Sequence, residues 1–224
     1  MNEINVLGIK YSDIDIAEAV ERTVRLSDAR AGGYILAPDS ALALDARRNR
    51  RLMTAVRSAR LILPGDKGVF IASSVLGLPL HYKMSGADFA SALLARLGAD
   101  GKSVFVVGFG EKGVRNAAQG ILSRFPGIRL AGTADGKFVD DTEIIDEINA
   151  AAPDLLLVCL ASPKQELWLY DVAEELDVGI CFAVGKPAEA RRGEGFFSRL
   201  LKNPKKTLKI PRMILAALWK RIAG

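Results

Sequence analysis

The sequence contains one histidine, two cysteines and no apolar run of the roughly 18 residues that a membrane-spanning helix needs. Because His81 stands alone, a Ser-His-Asp triad or a histidine-rich zinc site has no support. Cys159 and Cys181 lie in apolar runs, so we expect both to be buried as small hydrophobic side chains and not to form a disulfide. The amino terminus lacks the basic and apolar regions of a signal peptide, which predicts a cytoplasmic protein.

The net charge of +5 is distributed unevenly along the 224 residues. Residues 191–224 hold ten Lys and Arg residues against the single acid Glu194, whereas residues 1–190 carry a net charge of −4. A localised basic segment favours one anionic partner and argues against general nucleic-acid binding. We therefore divide the chain into a domain over residues 1–190 and a basic appendage over residues 191–224.

In the appendage, apolar residues alternate with Lys and Arg in a pattern typical of an amphipathic helix that lies on an anionic membrane surface. The residues predicted to bind the membrane are Lys205, Lys206, Lys209, Arg212 and Trp219. Two other interpretations fit the same pattern. The helix could pack on the body of the protein with its basic face in solvent, or its apolar face could pair with a second copy and form a homo-oligomer.

Short β-branched runs alternate with amphipathic stretches over residues 1–185, which predicts an α/β fold with a Rossmann-like, largely parallel sheet and helices on both faces. The predicted strands are Ile4–Ile9, Tyr34–Ala37, Leu61–Leu63, Val104–Val107, Ile128–Ala131, Leu155–Leu160 and Gly179–Val184. In such folds ligands bind beyond the carboxyl ends of the strands. We therefore expect the ligand-binding and catalytic residues in the loops that follow these strands.

One of these loops is rich in glycine. Gly108, Gly110 and Gly113 follow a predicted strand and open a helical stretch, so backbone amides there could bind a diphosphate without obstruction by side chains. Asp135, about twenty residues further on, stands where a dinucleotide fold places its ribose-binding acid. An NAD(P)-dependent oxidoreductase is therefore an alternative, and a purely structural glycine turn is another.

A second loop, Ser162–Glu166, follows the strand Leu155–Leu160. Ser162 and Gln165 have the spacing of a capping box, with Pro163 at the first helical position. Capping does not account for Lys164, since a cation in the first turn opposes the helix dipole unless an anion is nearby.

Two carboxylates follow predicted strands, Asp39 after the second and Asp66 after the third. Either could act as a ligand or general base, and either could instead cap a helix. Ser85 and Asp88 have capping-box spacing as well. Asp13-Ile14-Asp15 has the letters of a metal-binding Asp-x-Asp clamp, but it does not follow a core strand and is interpreted as a helix start.

Together these segments resemble the WecB/TagA/CpsF glycosyltransferase family from about residue 4 to the carboxyl terminus. The segments that carry the resemblance are Val6-Leu7-Gly8, Ala37-Pro38-Asp39, Leu63–Val69, Leu76–Leu80, Ser85–Asp88, Gly108–Gly113, Phe125-Pro126-Gly127, Asp135–Phe138 and Ala161–Trp168. The most specific is Ala-Ser-Pro-Lys-Gln-Glu-Leu-Trp at Ala161–Trp168, which is similar to the family's Gly-Ala-Pro-Lys-Gln-Glu-x-Trp signature.

The resemblance implies an inverting hexosyltransferase that needs neither a metal nor another cofactor. It implies transfer of N-acetylmannosamine or a related sugar from a UDP-sugar to a polyprenyl-diphosphate-linked sugar, in the synthesis of teichoic acid or another cell-surface polysaccharide. It also implies that the appendage attaches the protein peripherally to the inner face of the cell membrane.

By the same resemblance, Asp66 is the catalytic base. The implied substrate-binding residues are Asp39, Lys83, Gly108, Gly110, Gly113, Lys164, Gln165 and Gly185. The chain departs from the family pattern at several positions: Pro64-Gly65-Asp66 replaces Pro-Asp-Gly, Ala37 replaces a threonine, and Lys186–Glu189 replaces Gly-Ser-Phe-Asp. These departures support a further alternative, a catalytically silent relative that binds a nucleotide sugar or a lipid diphosphate as a partner in a polysaccharide-assembly complex.

Overall fold

The computed structural model describes residues 2–108, 110–137 and 140–184. Gly185 and the whole appendage lie outside these residues, as does the predicted domain boundary after residue 190. The described elements, in chain order, are β1 (Glu3–Val6), β2 (Ile9–Ser12), α1 (Ile16–Asp28), β3 (Tyr34–Leu36), α2 (Ser40–Ala46), α3 (Arg50–Arg57), β4 (Leu61–Ile62), α4 (Lys67–Val75), α5 (Gly86–Ala99), β5 (Ser103–Gly108), α6 (Glu111–Arg124), β6 (Arg129–Ala134), α7 (Thr142–Ala151), β7 (Leu155–Cys159), α8 (Lys164–Val172) and β8 (Ile180–Ala183).

Six of the strands form one sheet in the order β4-β3-β8-β7-β5-β6, and every neighbouring pair in it is parallel. Each parallel pair requires a crossover, and helices make these connections. The predicted Rossmann-like α/β fold is therefore confirmed.

The sheet is covered on both faces, and the alternation of side chains along each strand shows how. Leu156 and Val158 of β7 belong to one hydrophobic cluster together with residues of α2, α3, α4 and α8. Leu155 and Leu157 belong to a second cluster with residues of α1, α5 and α6. Because successive strand residues point to opposite faces, the two clusters are the two sides of a buried parallel sheet.

The first predicted strand, Ile4–Ile9, is wrong as a single element. The chain forms an antiparallel hairpin there, with β1 paired to β2 and separate from the parallel sheet. Leu7 and Gly8 both have positive φ, at 56° and 93°, which is the geometry of a two-residue hairpin turn. The sequence does not indicate this turn because a leucine occupies its first central position, where glycine or asparagine is usual.

Both cysteines are buried and free, as expected. They lie on opposite faces of the sheet, since Cys159 belongs to the cluster with α1 and Cys181 to the cluster with α2. Burial raises the pKa of each thiol well above its ordinary value. This environment suits packing and not nucleophilic chemistry.

No helix among the described residues is long and apolar enough to cross a membrane.

Candidate functional site

The carboxyl ends of β3, β8, β7 and β5 lie side by side at the centre of the sheet. In chain order, β3 is followed by its outer neighbour β4, whereas β5 is followed by its outer neighbour β6 on the opposite side of the sheet. The direction in which strands are added therefore reverses between β3 and β5. Loops that diverge from such a reversal leave a crevice, which is the usual ligand site in open α/β sheets. The loops after β3, β4, β5 and β7 carry most of the predicted site residues.

Asp39 and Asp66 both begin helices, and the structure brings the two loops together. Asp39 caps α2 by accepting a hydrogen bond from Leu42 N at 2.8 Å. Asp66 caps α4 by accepting from Val69 N at 3.0 Å, and it also accepts from Ser40 N at 3.2 Å and from Ser40 Oγ at 2.7 Å. Asp66 is thus held against the first residue of α2, with its side chain oriented by helix amides from two elements.

Gly65 explains how these loops approach so closely. A Cβ on Gly65 would lie 2.2 Å from the carbonyl oxygen of Ala37 and 2.7 Å from Asp39 N. The backbone after β4 therefore presses directly on the backbone after β3, which only glycine permits here. The order Pro64-Gly65-Asp66 keeps the small residue at this contact and the acid at the helix cap.

Tyr11 of β2 lies beneath the two acids. It is fully buried, and its hydroxyl donates a hydrogen bond to Pro38 O at 3.5 Å. Burial raises its pKa well above the ordinary value, and the negative charges of Asp66 and Asp39 raise it further. Tyr11 is therefore neutral at physiological pH.

Lys83 belongs to the loop between α4 and α5, and its ammonium lies 5.3 Å from the centroid of the Phe70 ring. Phe70 is in α4, one turn beyond the capping residue Asp66, so Lys83 lies along the same helix. The start of α5 also borders this region, because a Cβ on Gly86 would lie 3.2 Å from Ala37 Cβ. As expected, Ser85 caps α5 through Asp88 N, and its hydroxyl donates to the Asp88 carboxylate.

The buried carboxylate of Asp13 anchors the loop that carries Lys83. It accepts hydrogen bonds from His81 N at 2.7 Å and Tyr82 N at 3.3 Å, and its second oxygen lies 2.6 Å from His81 Nδ1. Asp15, by contrast, caps α1 through Glu18 N. The Asp13-Ile14-Asp15 segment is therefore a helix start, as predicted, with one acid in the cap and the other in a loop anchor.

The glycine turn after β5 has the conformation that the sequence indicates. Gly108 has φ 128°, and a Cβ there would lie 2.6 Å from Cys159 O, so the turn passes directly over the end of β7. Gly110 has φ 75° and precedes α6, which begins without a side-chain cap because glycine has none to offer. Gly113 lies in the first turn of α6 and is partly buried. The first amides of α6 are thus oriented toward the crevice end of the sheet.

Two lysines lie at this turn. Lys164 Nζ donates to Gly136 O at 3.3 Å. Lys137 is exposed, and its Nζ would lie 3.8 Å from a Cβ placed on Gly110. Lys137 was not among the predicted site residues, and only the packing of β6 beside β5 brings it to the glycine turn. Asp135 is also there, with Oδ1 3.9 Å from the same Cβ position.

The predicted capping box at Ser162 and Gln165 is wrong. α8 begins at Lys164 with Pro163 in the cap position and no side-chain cap. Gln165 is buried instead, and its Nε2 donates to Glu166 Oε1 at 2.9 Å. The buried residues of α8 include Gln165, Trp168, Leu169 and Val172, so Gln165 occupies the first position of the helix's inward face, directed away from the cap.

Glu166 is the second polar residue on the inward side of α8, and it is only 2 % exposed. Burial raises its pKa above the ordinary value. The hydrogen bond from Gln165 opposes the shift, as do the nearby backbone amide of Glu166 and hydroxyl of Ser162, and the charge of Asp39 adds to it. Sequence reasoning placed Glu166 in the signature but gave it no role. Its position next to Gln165 was the only feature of the sequence that pointed to it. Helical periodicity does not reveal that both side chains are buried.

The structure thus brings Asp39, Asp66, Lys164, Gln165 and the glycine turn to one edge of the sheet. Lys83 is placed beside α4 at the Asp66 end. Gly185 and the predicted membrane-binding residues Lys205, Lys206, Lys209, Arg212 and Trp219 lie outside the described residues.

Comparison with known proteins adds the decisive observation. The sequence profile of the Glycosyl transferase WecG/TagA/CpsF family matches residues 4–189, which is most of the chain. The chain belongs to this family. The resemblance inferred from the motifs is therefore confirmed, and the match covers the whole sheet and every described site residue.

Relatives in three bacteria bear the same name, N-acetylglucosaminyldiphosphoundecaprenol N-acetyl-beta-D-mannosaminyltransferase. The protein from Bacillus spizizenii is 28% identical over 207 residues, covering 85% of this chain and 80% of the relative. The one from Bacillus subtilis is 26% identical, covering 85% and 81%, and the one from Staphylococcus aureus is 21% identical over 193 residues, covering 85% and 76%.

These comparisons identify the chain as a glycosyltransferase and favour that activity over the nicotinamide-dependent alternative. Asp135 does lie beside the glycine turn, as a dinucleotide fold would place it. The Pro163–Trp168 signature, however, belongs to the glycosyltransferase family and has no counterpart in the dinucleotide interpretation.

Proposed function

We propose that the chain transfers an N-acetylhexosamine, such as N-acetylmannosamine, from a UDP-sugar to a sugar linked to a polyprenyl diphosphate, with inversion at the anomeric carbon. The product would serve the synthesis of teichoic acid or another cell-surface polysaccharide. The observation that carries the proposal is the match of the chain to this family over residues 4–189. Asp39 and Asp66 lie in the loops after β3 and β4, with Lys83 beside α4, and Lys137 and Lys164 lie with Asp135 at the glycine turn after β5.

The helix amides and the two lysines at the glycine turn suit the anionic end of a nucleotide-sugar donor. The amides of Gly108 and Gly110, the first turn of α6 that includes Gly113, and the lysine ammonium groups would bind the diphosphate. The neutral sugar would then extend toward the acids. Asp39, Gln165 and Gly185 are assigned to positioning of the sugar or nucleotide by the family resemblance, and Lys83 is assigned, with Lys164, to neutralising the charge on UDP.

In the reaction, Asp66 acts as the general base. The acceptor hydroxyl oxygen forms a bond to the anomeric carbon while its proton passes to Asp66. The bond between the anomeric carbon and the diphosphate oxygen breaks, and its electron pair leaves with UDP. Cationic groups and helix amides at the glycine turn stabilise the negative charge that develops on UDP, so the step is a single displacement with inversion.

Peripheral membrane attachment is part of the same proposal. A polyprenyl-linked acceptor remains in the bilayer, so an enzyme that reaches its diphosphate must approach the membrane surface. The basic, apolar composition of residues 191–224 supports this role.

Turnover with a short-chain polyprenyl-diphosphate-GlcNAc analogue tests the proposal directly. A panel of UDP-sugars is supplied with and without membranes, and UDP release, product mass and anomeric configuration are measured. We expect one UDP released per disaccharide formed, with the configuration opposite to that of the donor. UDP-sugar binding without turnover would favour the catalytically silent partner, and a thermal shift with NAD(P) but not with UDP-sugars would favour the oxidoreductase.

A further inference from the structure

One carboxyl oxygen in the site has no partner. Glu166 Oε2 is buried and makes no hydrogen bond, and it is the one buried side-chain nitrogen or oxygen in this condition among the described ranges 2–108, 110–137 and 140–184. The other oxygen, Oε1, accepts from Gln165 Nε2 at 2.9 Å. Buried polar groups in folded proteins are almost always paired, so an exception in a ligand site calls for a functional explanation.

The fold does not require a carboxyl group at this position. Glu166 lies on the inward side of α8 with Trp168 and Leu169, where an apolar side chain would pack without loss of solvation. A buried carboxyl oxygen without a partner destabilises the protein, because nothing replaces the hydrogen bond that water made to it in the unfolded chain. Residues that destabilise a fold in this way are concentrated at sites of function.

The surroundings of Glu166 indicate which ligand it would meet. The charge of Asp39 and the hydroxyl of Ser162 are close enough to affect its pKa, and both residues are exposed. Glu166 therefore lies just beneath the rim of the crevice, on the acidic side. A phosphate would be repelled there by Asp39, whereas Lys137 and Lys164 attract phosphate at the glycine turn.

We propose that Glu166 binds the transferred sugar, with Oε2 making a hydrogen bond to one hydroxyl group of that sugar. A hydroxyl both donates and accepts, so it satisfies Oε2 whether or not the carboxyl group carries a proton. Gln165 orients the carboxyl group through Oε1. The inference rests on the proposed function, since it assigns a residue to the donor sugar of that reaction.

The test compares binding of UDP and of UDP-N-acetylmannosamine to three proteins: wild type, Glu166→Met and Glu166→Gln. Methionine matches the length of glutamate but offers no comparable hydrogen-bonding group. We expect Glu166→Met to weaken binding of the UDP-sugar at least about tenfold, and to leave UDP binding within about twofold, because UDP lacks the sugar. Glu166→Gln keeps an acceptor for Gln165 and places an amide at the Oε2 position, so we expect it to remain within about tenfold of wild type for both ligands.

Donor analogues that each lack one sugar hydroxyl identify the contact. Wild type should discriminate against one of these analogues, and Glu166→Met should bind that analogue and the parent donor equally. Glu174→Met, which removes an exposed carboxylate beyond the end of α8, is the matched control and should bind all donors as wild type does.

The outcomes separate this inference from the proposed function. If wild type binds no UDP-sugar, the proposed function fails and the inference fails with it. If wild type binds the donor and Glu166→Met binds it equally well, the inference alone is overturned. It is also overturned if UDP binding falls as much as UDP-sugar binding, if all deoxy analogues remain discriminated in Glu166→Met, or if that variant does not fold.

Discussion

At the scale of single residues, Asp66 caps a helix and is also the proposed general base. As the cap of α4 it accepts from Val69 N, and its second oxygen accepts from Ser40 Oγ at 2.7 Å. A substitution must therefore remove the base and keep the cap. Asparagine does so, because it caps helices about as well as aspartate but cannot take a proton from an alcohol.

We expect Asp66→Asn to lower turnover by roughly 10² to 10⁴, the range typical of a lost acid-base group, and to keep UDP affinity within a few-fold. Steady-state kinetics and calorimetric titration with UDP measure the two effects. Asp15→Asn is the matched control, since Asp15 caps α1 in the same way and is not in the site. Wild-type turnover in Asp66→Asn would reassign the base, with Asp39 as the next candidate.

At the scale of elements, the glycine turn joins β5 to α6 over the end of β7. Gly110 has φ 75°, and a Cβ there would have ordinary contacts of 3.7 to 3.9 Å with Lys137 and Asp135. A side chain would therefore fit sterically but strain the backbone, and it would enter the space where we place the diphosphate. A control variant must therefore separate the effect of backbone strain from the effect of blocking the diphosphate.

Gly110→Val should weaken UDP binding about tenfold or more if the amides of this turn bind the diphosphate. Gly101→Val serves as the control because Gly101 has φ 64° with nothing within 4 Å of its Cβ position, in the turn between α5 and β5. Both variants should lose about 1 to 2 kcal/mol of stability from the strained backbone, measured by urea unfolding. Equal UDP affinity in the two variants would show that the turn is structural.

The loop between α4 and α5 depends on Asp13 for its position. Burial by itself would raise the pKa of Asp13, but hydrogen bonds from the His81 ring and from the amides of His81 and Tyr82 outweigh burial and hold the pKa below its ordinary value of 3.8. A carboxylate with a lowered folded-state pKa stabilises the protein above its unfolded-state pKa. This contribution is lost as the pH falls through the folded-state value.

We therefore expect Asp13→Asn to lower the free energy of unfolding by about 1 to 3 kcal/mol at neutral pH, the range for a buried hydrogen-bonded charge. The difference from wild type should shrink below about pH 4, as the pH falls from the unfolded-state pKa of Asp13 toward its lower folded-state pKa. Urea unfolding across pH measures it, with Asp45→Asn as an exposed control. Turnover should fall too, since the loop carries Lys83. A difference that persists unchanged at pH 3 would contradict this account.

At the scale of the whole molecule, charge is segregated between the domain and the appendage, with −4 over residues 1–190 and +9 over residues 191–224. Removal of charge from the appendage should therefore weaken membrane binding, whereas the same removal from the body should not. Each Lys or Arg near an anionic surface contributes about 1 kcal/mol to the binding free energy. Removal of four such charges would therefore lower the affinity for the membrane by about two to three orders of magnitude before salt screening.

Changing Lys205, Lys206, Lys209 and Arg212 to Gln should release the protein from anionic liposomes in a sedimentation assay, and added salt should release wild type similarly. Trp219→Ala should weaken binding with less dependence on salt. The control changes Arg25, Arg47, Arg48 and Arg50, four exposed residues of the body, to Gln. If wild type ignores anionic vesicles at low salt, the membrane part of the proposal fails and the transferase part stands.

The alternation of β-branched runs and amphipathic stretches was sufficient to predict the parallel sheet, because buried parallel strands need continuous apolar runs and crossover helices. It also placed Asp39, Asp66 and the glycine turn in loops that follow strands, where such folds bind their ligands. The hairpin at Leu7-Gly8 escaped prediction because its turn residues do not have the usual composition.

What only the tertiary structure decided is how residues far apart in sequence share one surface. Lys137 reaches the glycine turn because β6 pairs with β5, and Gly65 is required because its loop presses on the backbone of Ala37. Glu166 is buried near Asp39, more than a hundred residues earlier in the chain. Sequence patterns report the local period and the order of elements, whereas the burial of one carboxyl group depends on which elements pack over it, and that is set by the assembled fold.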